Sequence, residues 1–155
     1  MEASDARSPS MKLRYAEAFA RYGAKLRNKQ WSLCAVAPDE SLVICLWACK
    51  FKRGGKYVDN LSRVSGYRAL PGYVELGEKL QTALVTEQPI RAVIAHSDEP
   101  GLVDSRASTG TCAKYFTTSD LIGTVTHFDG DELVIEFRQD RRVKSPETLR
   151  RIPVT

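Results

Sequence analysis

Apolar residues along the chain first recur at helical spacing. Tyr15, Phe19, Tyr22 and Leu26 stand 4, 3 and 4 apart, one stripe of an amphipathic helix. The helix is expected to begin at Ser8-Pro9 or Ser10 and to end at Asn28. The period then shortens. "WSLCAVAP" (31–38) and "SLVICLWACKFK" (41–52) are rich in β-formers and flank Pro38-Asp39-Glu40, so they read as antiparallel strands joined by a tight turn. The second is apolar on both faces at its centre, as in an interior strand. It turns basic just before Gly54-Gly55, a pair suited to a two-residue hairpin, with "KYVDNLSRV" as the returning strand.

"SGYRALPG" (65–72) reads as a loop, followed by a helix with Tyr73, Leu76, Leu80 and Leu84 inward and Pro89 beyond its end. "IRAVIAHS" (90–97) is a short buried strand. "DEPGLVDSRASTGTCA" (98–113) is a long loop of a length that is usually functional. The clearest hairpin is "LIGTVTHF-DG-DELVIEF" (121–137), with Asp129-Gly130 at its turn. The fold class is therefore α+β: a curved, mostly antiparallel sheet or partial barrel of about five to seven strands with two packed helices. The expected division is a disordered tail over 1–10, a single α+β domain over 11–140 and a basic C-terminal tail over 141–155.

Size agrees with one domain: 155 residues, 43 % of them apolar, can bury one core. No apolar run approaches the roughly 20 residues of a membrane helix. "MEASDARSPS" has no apolar h-region, so a cytoplasmic protein is expected, with no membrane partner.

Charge changes the picture through its distribution, because the net value is only +4. Seventeen of the 23 Lys and Arg residues fall in 12–29, 50–68 and 141–155, with one acid in each stretch. On a helix running to residue 29, Arg14, Arg21, Lys25 and Lys29 lie within about 80° of arc, a basic ridge beside the apolar stripe. The second cluster gathers Lys50, Lys52, Arg53, Lys56, Arg63 and Arg68 with the aromatics Trp47, Tyr57 and Tyr67. Nucleic-acid surfaces pair cations for phosphates with aromatics for bases. The plainer alternative is a solvated basic face, with Trp47 in the core.

Candidate chemistry is sparse. The Ser-nucleophile, P-loop, zincin and dinucleotide motifs are absent. "STGTC" (108–112) resembles a nucleophile loop, but Ser/Thr/Gly runs are common filler, and pairing Cys112 with His96 or His127 has no support in spacing. For a metal-dependent nuclease the acids would be Asp98 and Glu99 in "HSDEP", or Asp120, Asp129 or Asp131 with Glu136-x-Arg138; arginine is a poor proton carrier there. Cys45 and Cys49 on one strand would stand about 13 Å apart, too far for a disulfide or a shared metal. Cys34, Cys45, Cys49 and Cys112 are expected to be buried free thiols, with no metal and no cofactor.

The order "YAEAFARYGAKL…QWSLCAV…LVICLWACK…PGYVEL…IRAVIAH…KYFTTSDLIGTVTHFDGDELVIEF" resembles small uncharacterised bacterial proteins carried on mobile elements and plasmids. Its late hairpin is more loosely similar to pseudo-barrel nucleic-acid readers of the PUA-like and B3-like kind. The first resemblance implies no activity; the second implies a reader of DNA or RNA. The sequence thus leads to the expectation of a non-catalytic nucleic-acid-binding module, DNA before RNA. The alternatives are a metal-dependent nuclease and an interaction or inhibitor module from a mobile element whose basic face meets an acidic protein.

Overall fold

The computed structural model describes residues 13–97, 113–118 and 120–140. The 1–10 and 141–155 tails, Asp98, Glu99 and the "STGTC" stretch lie outside the described residues. Among the described residues two helices, α1 (Tyr15–Ala20) and α2 (Pro71–Thr86), accompany eight strands. These are β1 (Cys34–Val36), β2 (Leu42–Trp47), β3 (Phe51–Lys52), β4 (Lys56–Asn60), β5 (Ile90–Ser97), β6 (Ala113–Thr117), β7 (Leu121–Phe128) and β8 (Glu132–Gln139). One sheet runs β1-β2-β5-β7-β8-β4-β3, with β6 paired to β5. Every pairing is antiparallel except β2 with β5. The chain between β2 and β5 includes α2, the kind of crossover a parallel pair needs. The α+β class and the two helices are as the sequence indicates; the strands number one more than the expected range.

Both faces of β2 are buried. Leu42, Ile44 and Leu46 join the larger core, which also holds Leu76 and Leu80 of α2 and Ile135 and Phe137 of β8. Val43 and Trp47 face the other way, into a smaller core with Phe19, Leu26, Val93 and Tyr115. An apolar run on both faces is what an interior strand requires, and β2 lies between β1 and β5.

The first helix is much shorter than its stripe suggests. Gly23 adopts φ +76°, and the Ala24 N–H reaches back to the Phe19 carbonyl at 3.1 Å. That left-handed residue and long back-bond end the helix in the Schellman manner. Leu26 still packs in the smaller core, but from chain outside any helix, so the apolar spacing survived while the period did not.

Two other boundaries differ from expectation. The strand drawn over 41–52 breaks at a 3-10 turn, Ala48–Lys50. The "SGYRALPG" loop contains a 3-10 turn at Tyr67–Ala69, and α2 begins inside it at Pro71, a residue suited to a first helical turn.

Candidate nucleic-acid interface

The basic cluster folds into the β3–β4 hairpin. Lys52 pairs with Lys56 and Phe51 with Tyr57. Arg53, Gly54 and Gly55 therefore form a three-residue turn, not the expected two-residue one. Gly54 and Gly55 take φ of +84° and +87°, the region in which glycine carries no Cβ penalty. The Gly55 carbonyl accepts the Phe137 N–H at 2.8 Å, which fastens the turn to β8. Beneath it Phe51 stacks against Tyr57 and Phe137, with ring centroids 5.0 and 5.6 Å away.

Lys52, Arg53 and Lys56 are exposed. Lys52 and Lys56 occupy one rung, directly opposite and on the same face, where like charges repel. Glu136 continues the same row on β8, opposite Lys56, and offsets part of that repulsion.

The remainder of the cluster is committed inward. Tyr57 is 1 % exposed; its hydroxyl accepts the Trp47 N–H at 3.2 Å and donates to Asp59 at 3.4 Å. Burial and the Asp59 charge push its pKa up. Arg63 forms a two-point pair with buried Asp59, and Lys50 Nζ stands 4.0 Å from the same carboxylate. Tyr57, Asp59 and Arg63 line a cavity of about 30 Å³ with Ile44, Leu46, Tyr73 and Leu76. Such a volume holds one or two waters and no larger ligand. Tyr67 is buried; its hydroxyl donates to the Gly130 carbonyl at 3.2 Å, and exposed Arg68 lies 5.1 Å over its ring. Trp47 is a core residue. The aromatics expected beside the cations, Trp47, Tyr57 and Tyr67, are therefore buried and packed into the fold.

The helical ridge is not formed. Arg14 and Arg21 flank α1, while Lys25 and Lys29 follow its end at Gly23 in non-helical chain. All four side chains are exposed on the layer that covers β2, β5 and β6. The signal that could have shown this is Gly23 itself, a C′ glycine in the middle of the supposed stripe.

Among the described residues, Glu136, Asp120 and Asp140 each have other neighbours and form no shared cation group. Glu136 faces Lys56, Asp120 is buried, and Asp140 pairs with buried Arg91 at 2.7 Å. What sequence reasoning did not assemble is a group at the β7–β8 turn. His127 Nε2 lies 3.6 Å from Asp129 and 3.4 Å from Glu132. The trio is exposed, with one donor atom from each within 4.8 Å of the others. Imidazole and carboxylate could together ligate a divalent cation. One Asp129 oxygen already accepts the Asp131 and Glu132 N–H groups at 3.0 and 2.8 Å, so the turn accounts for that side chain unaided.

Of the thiols, Cys34 is buried as expected, whereas Cys45 is only partly buried and Cys49 is exposed. Cys49 belongs to the 3-10 turn, so the shared strand assumed for the pair with Cys45 does not exist. Among the described residues the only His, Cys and acid group able to share a cation is the turn trio, and it contains no cysteine. No helix among the described residues is long and apolar enough to cross a membrane.

No family model, curated protein or solved structure matches the chain.

Proposed function

We propose that the protein binds nucleic acid through the β3–β4 hairpin. The observation that carries this reading is the rung on which Lys52 and Lys56 face each other, with Arg53 at the turn between them and all three exposed. A fold under no other demand avoids like charges directly opposite, because the pair is destabilising. A phosphate between two such ammonium groups converts that repulsion into attraction. Arg53 adds a planar fork that suits phosphate oxygens. Tyr57, Tyr67 and Arg63 drop out of the contact surface, and Lys50 lies half-buried beside Asp59. Arg68, Arg14, Arg21, Lys25 and Lys29 are exposed and add long-range attraction to a polyanion.

The test is a salt titration of binding to a fluorescent oligonucleotide. Each phosphate neutralised contributes about −0.9 to the slope of log K against log salt on duplex, or about −0.7 on a single strand. The triple substitution Lys52→Ala, Arg53→Ala, Lys56→Ala should flatten the slope by about two to three contacts' worth. Superposed titrations would remove the hairpin from the interface. Absence of binding at low salt would remove nucleic acid as the partner and leave an acidic protein.

A further inference from the structure

We infer that the nucleic acid recognised at this hairpin is a duplex, held by its phosphates without regard to sequence; the inference rests on the binding reading above. Two features of the structure carry it.

The first is the state of the aromatic side chains. Both tryptophans, all six tyrosines and all five phenylalanines lie among the described residues, and none of them is exposed. Those nearest the basic tip are occupied. Phe51 is packed between Tyr57 and Phe137, Tyr57 is hydrogen-bonded to Trp47 and Asp59, and Tyr67 is tied to Gly130 beneath Arg68. Single-strand binders draw much of their affinity from bases stacked on exposed rings. At the tip a splayed base would find lysine and arginine, with the half-buried Phe51 ring already packed between Tyr57 and Phe137. Phosphates are the groups left to bind, and a duplex presents them at roughly twice the linear density of one strand.

The second is the reach of the hairpin. β3 is two residues long, so the ribbon extends about 7 Å. Its turn is held down by the bond from Phe137 to the Gly55 carbonyl. A ribbon that reads bases must pass its side chains into a major groove about 8.5 Å deep. A short, anchored tip stops at the phosphates on the groove's rim. Contacts there position a protein but carry no sequence information.

The experiment uses the full chain and four fluorescent probes: a short mixed-sequence DNA duplex, each of its strands alone, and a second duplex of permuted sequence. At low salt the duplex should bind at least about threefold more tightly than either strand, with a salt slope steeper by the ratio of about 0.9 to 0.7. The two duplexes should agree within about threefold, since a single specific base contact contributes more than that. Single strands that bind as well as the duplex, or duplexes that differ by more, overturn the inference. Failure of the underlying reading looks different: no probe binds, or the triple alanine variant, shown folded by circular dichroism, binds the duplex as wild type does.

Discussion

Arg63 gives both faces of its guanidinium fork to Asp59: Nε reaches Oδ1 at 2.8 Å and Nη2 reaches Oδ2 at 3.0 Å. The two are one helical turn apart in sequence, yet the link joins β4 to the 3-10 turn at Leu61–Arg63 that follows it. The Asn60 N–H and the Tyr57 hydroxyl supply further donors to the carboxylate. The side chains are 4 % and 9 % exposed, so water cannot replace either partner cheaply.

Asp59→Ala should therefore be among the most damaging substitutions in the protein. Removing one partner of a buried pair costs about 3–5 kcal/mol, because the other charge is left without compensation. The double variant Asp59→Ala, Arg63→Met should lose less than the single one, as no buried charge remains. Urea unfolding of both variants measures this. A loss below about 1 kcal/mol for Asp59→Ala would mean that the site behaves as an exposed pair.

The thiols should separate by reactivity. Burial pushes Cys34 well above the usual thiol range and Cys45 up to about 12. A thiolate is the reacting species, so neither should be alkylated at neutral pH in the native protein. Exposed Cys49 should react readily. Peptide mapping after iodoacetamide treatment, with and without denaturant, distinguishes the sites from one another and from Cys112. Equal labelling of Cys34 and Cys49 under native conditions would contradict the packing of β1.

The β7–β8 turn should weaken in acid. Asp129 is held below the ordinary 3.8 chiefly by the Asp131 and Glu132 N–H groups, and Asp131 chiefly by the Ser62 N–H at 2.8 Å. A carboxylate whose pKa is lower in the folded state stabilises the fold fully above its unfolded pKa. That contribution disappears as pH falls through the folded value. The melting temperature should be level from neutrality to about pH 5 and decline below about pH 4. Asp131→Asn should lower the plateau and shrink the decline. An unchanged acid limb would show that Asp131 makes no ionic contribution to the tie between Ser62 and the turn.

Gly130 takes φ +98° with open space where a Cβ would lie, so only backbone strain opposes a side chain there. Neither Asp129 nor Asp131 has a positive φ, so the turn is not the type I′ form, which needs two consecutive positive-φ residues; Gly130 alone is left-handed. Gly130→Val should lower stability by about 1 kcal/mol or more, since a β-branched residue tolerates positive φ badly. An unaltered denaturation midpoint would mean that the turn is drawn wrongly.

What the sequence made legible was local. The Asp129-Gly130 hairpin, the Pro38-Asp39-Glu40 turn, the inward face of α2 and the double-sided burial of β2 all follow from alternation and turn chemistry. Its failures arose where tertiary contacts compete with periodicity. The stripe through Leu26 is real as burial, but Gly23 reverses the chain and Leu26 reaches the core without a helix, so the ridge of Arg14, Arg21, Lys25 and Lys29 dissolved. The parallel β2–β5 pairing is invisible to any local pattern. In the basic cluster, composition identified Lys52, Arg53 and Lys56 but could not separate them from Arg63 and Tyr57. That division depends on Asp59, whose burial is decided by β4 lying between β3 and β8.

Two glycines of one helix should respond in opposite directions to the same change. Both Gly72 and Gly77 lie in α2, where glycine is worse than alanine by about 0.5–1 kcal/mol on entropic grounds. Nothing lies within 4 Å of a Cβ built at Gly77, so Gly77→Ala should gain about that amount. A Cβ at Gly72 would instead sit 2.1 Å from the Trp31 carbonyl oxygen, with the Leu33 side chain 3.5 Å away. The obstacle is backbone, which cannot rotate aside, so α2 would have to back away from the segment that leads into β1. Overpacking of that kind costs about 1–3 kcal/mol, more than the helical gain returns. The pair is read by chemical denaturation of the two variants beside wild type, with Gly77→Ala controlling for helix propensity. If Gly72→Ala matched or exceeded wild type, the close approach of α2 to Trp31 would be wrong, and with it the seating of the helix on the larger core.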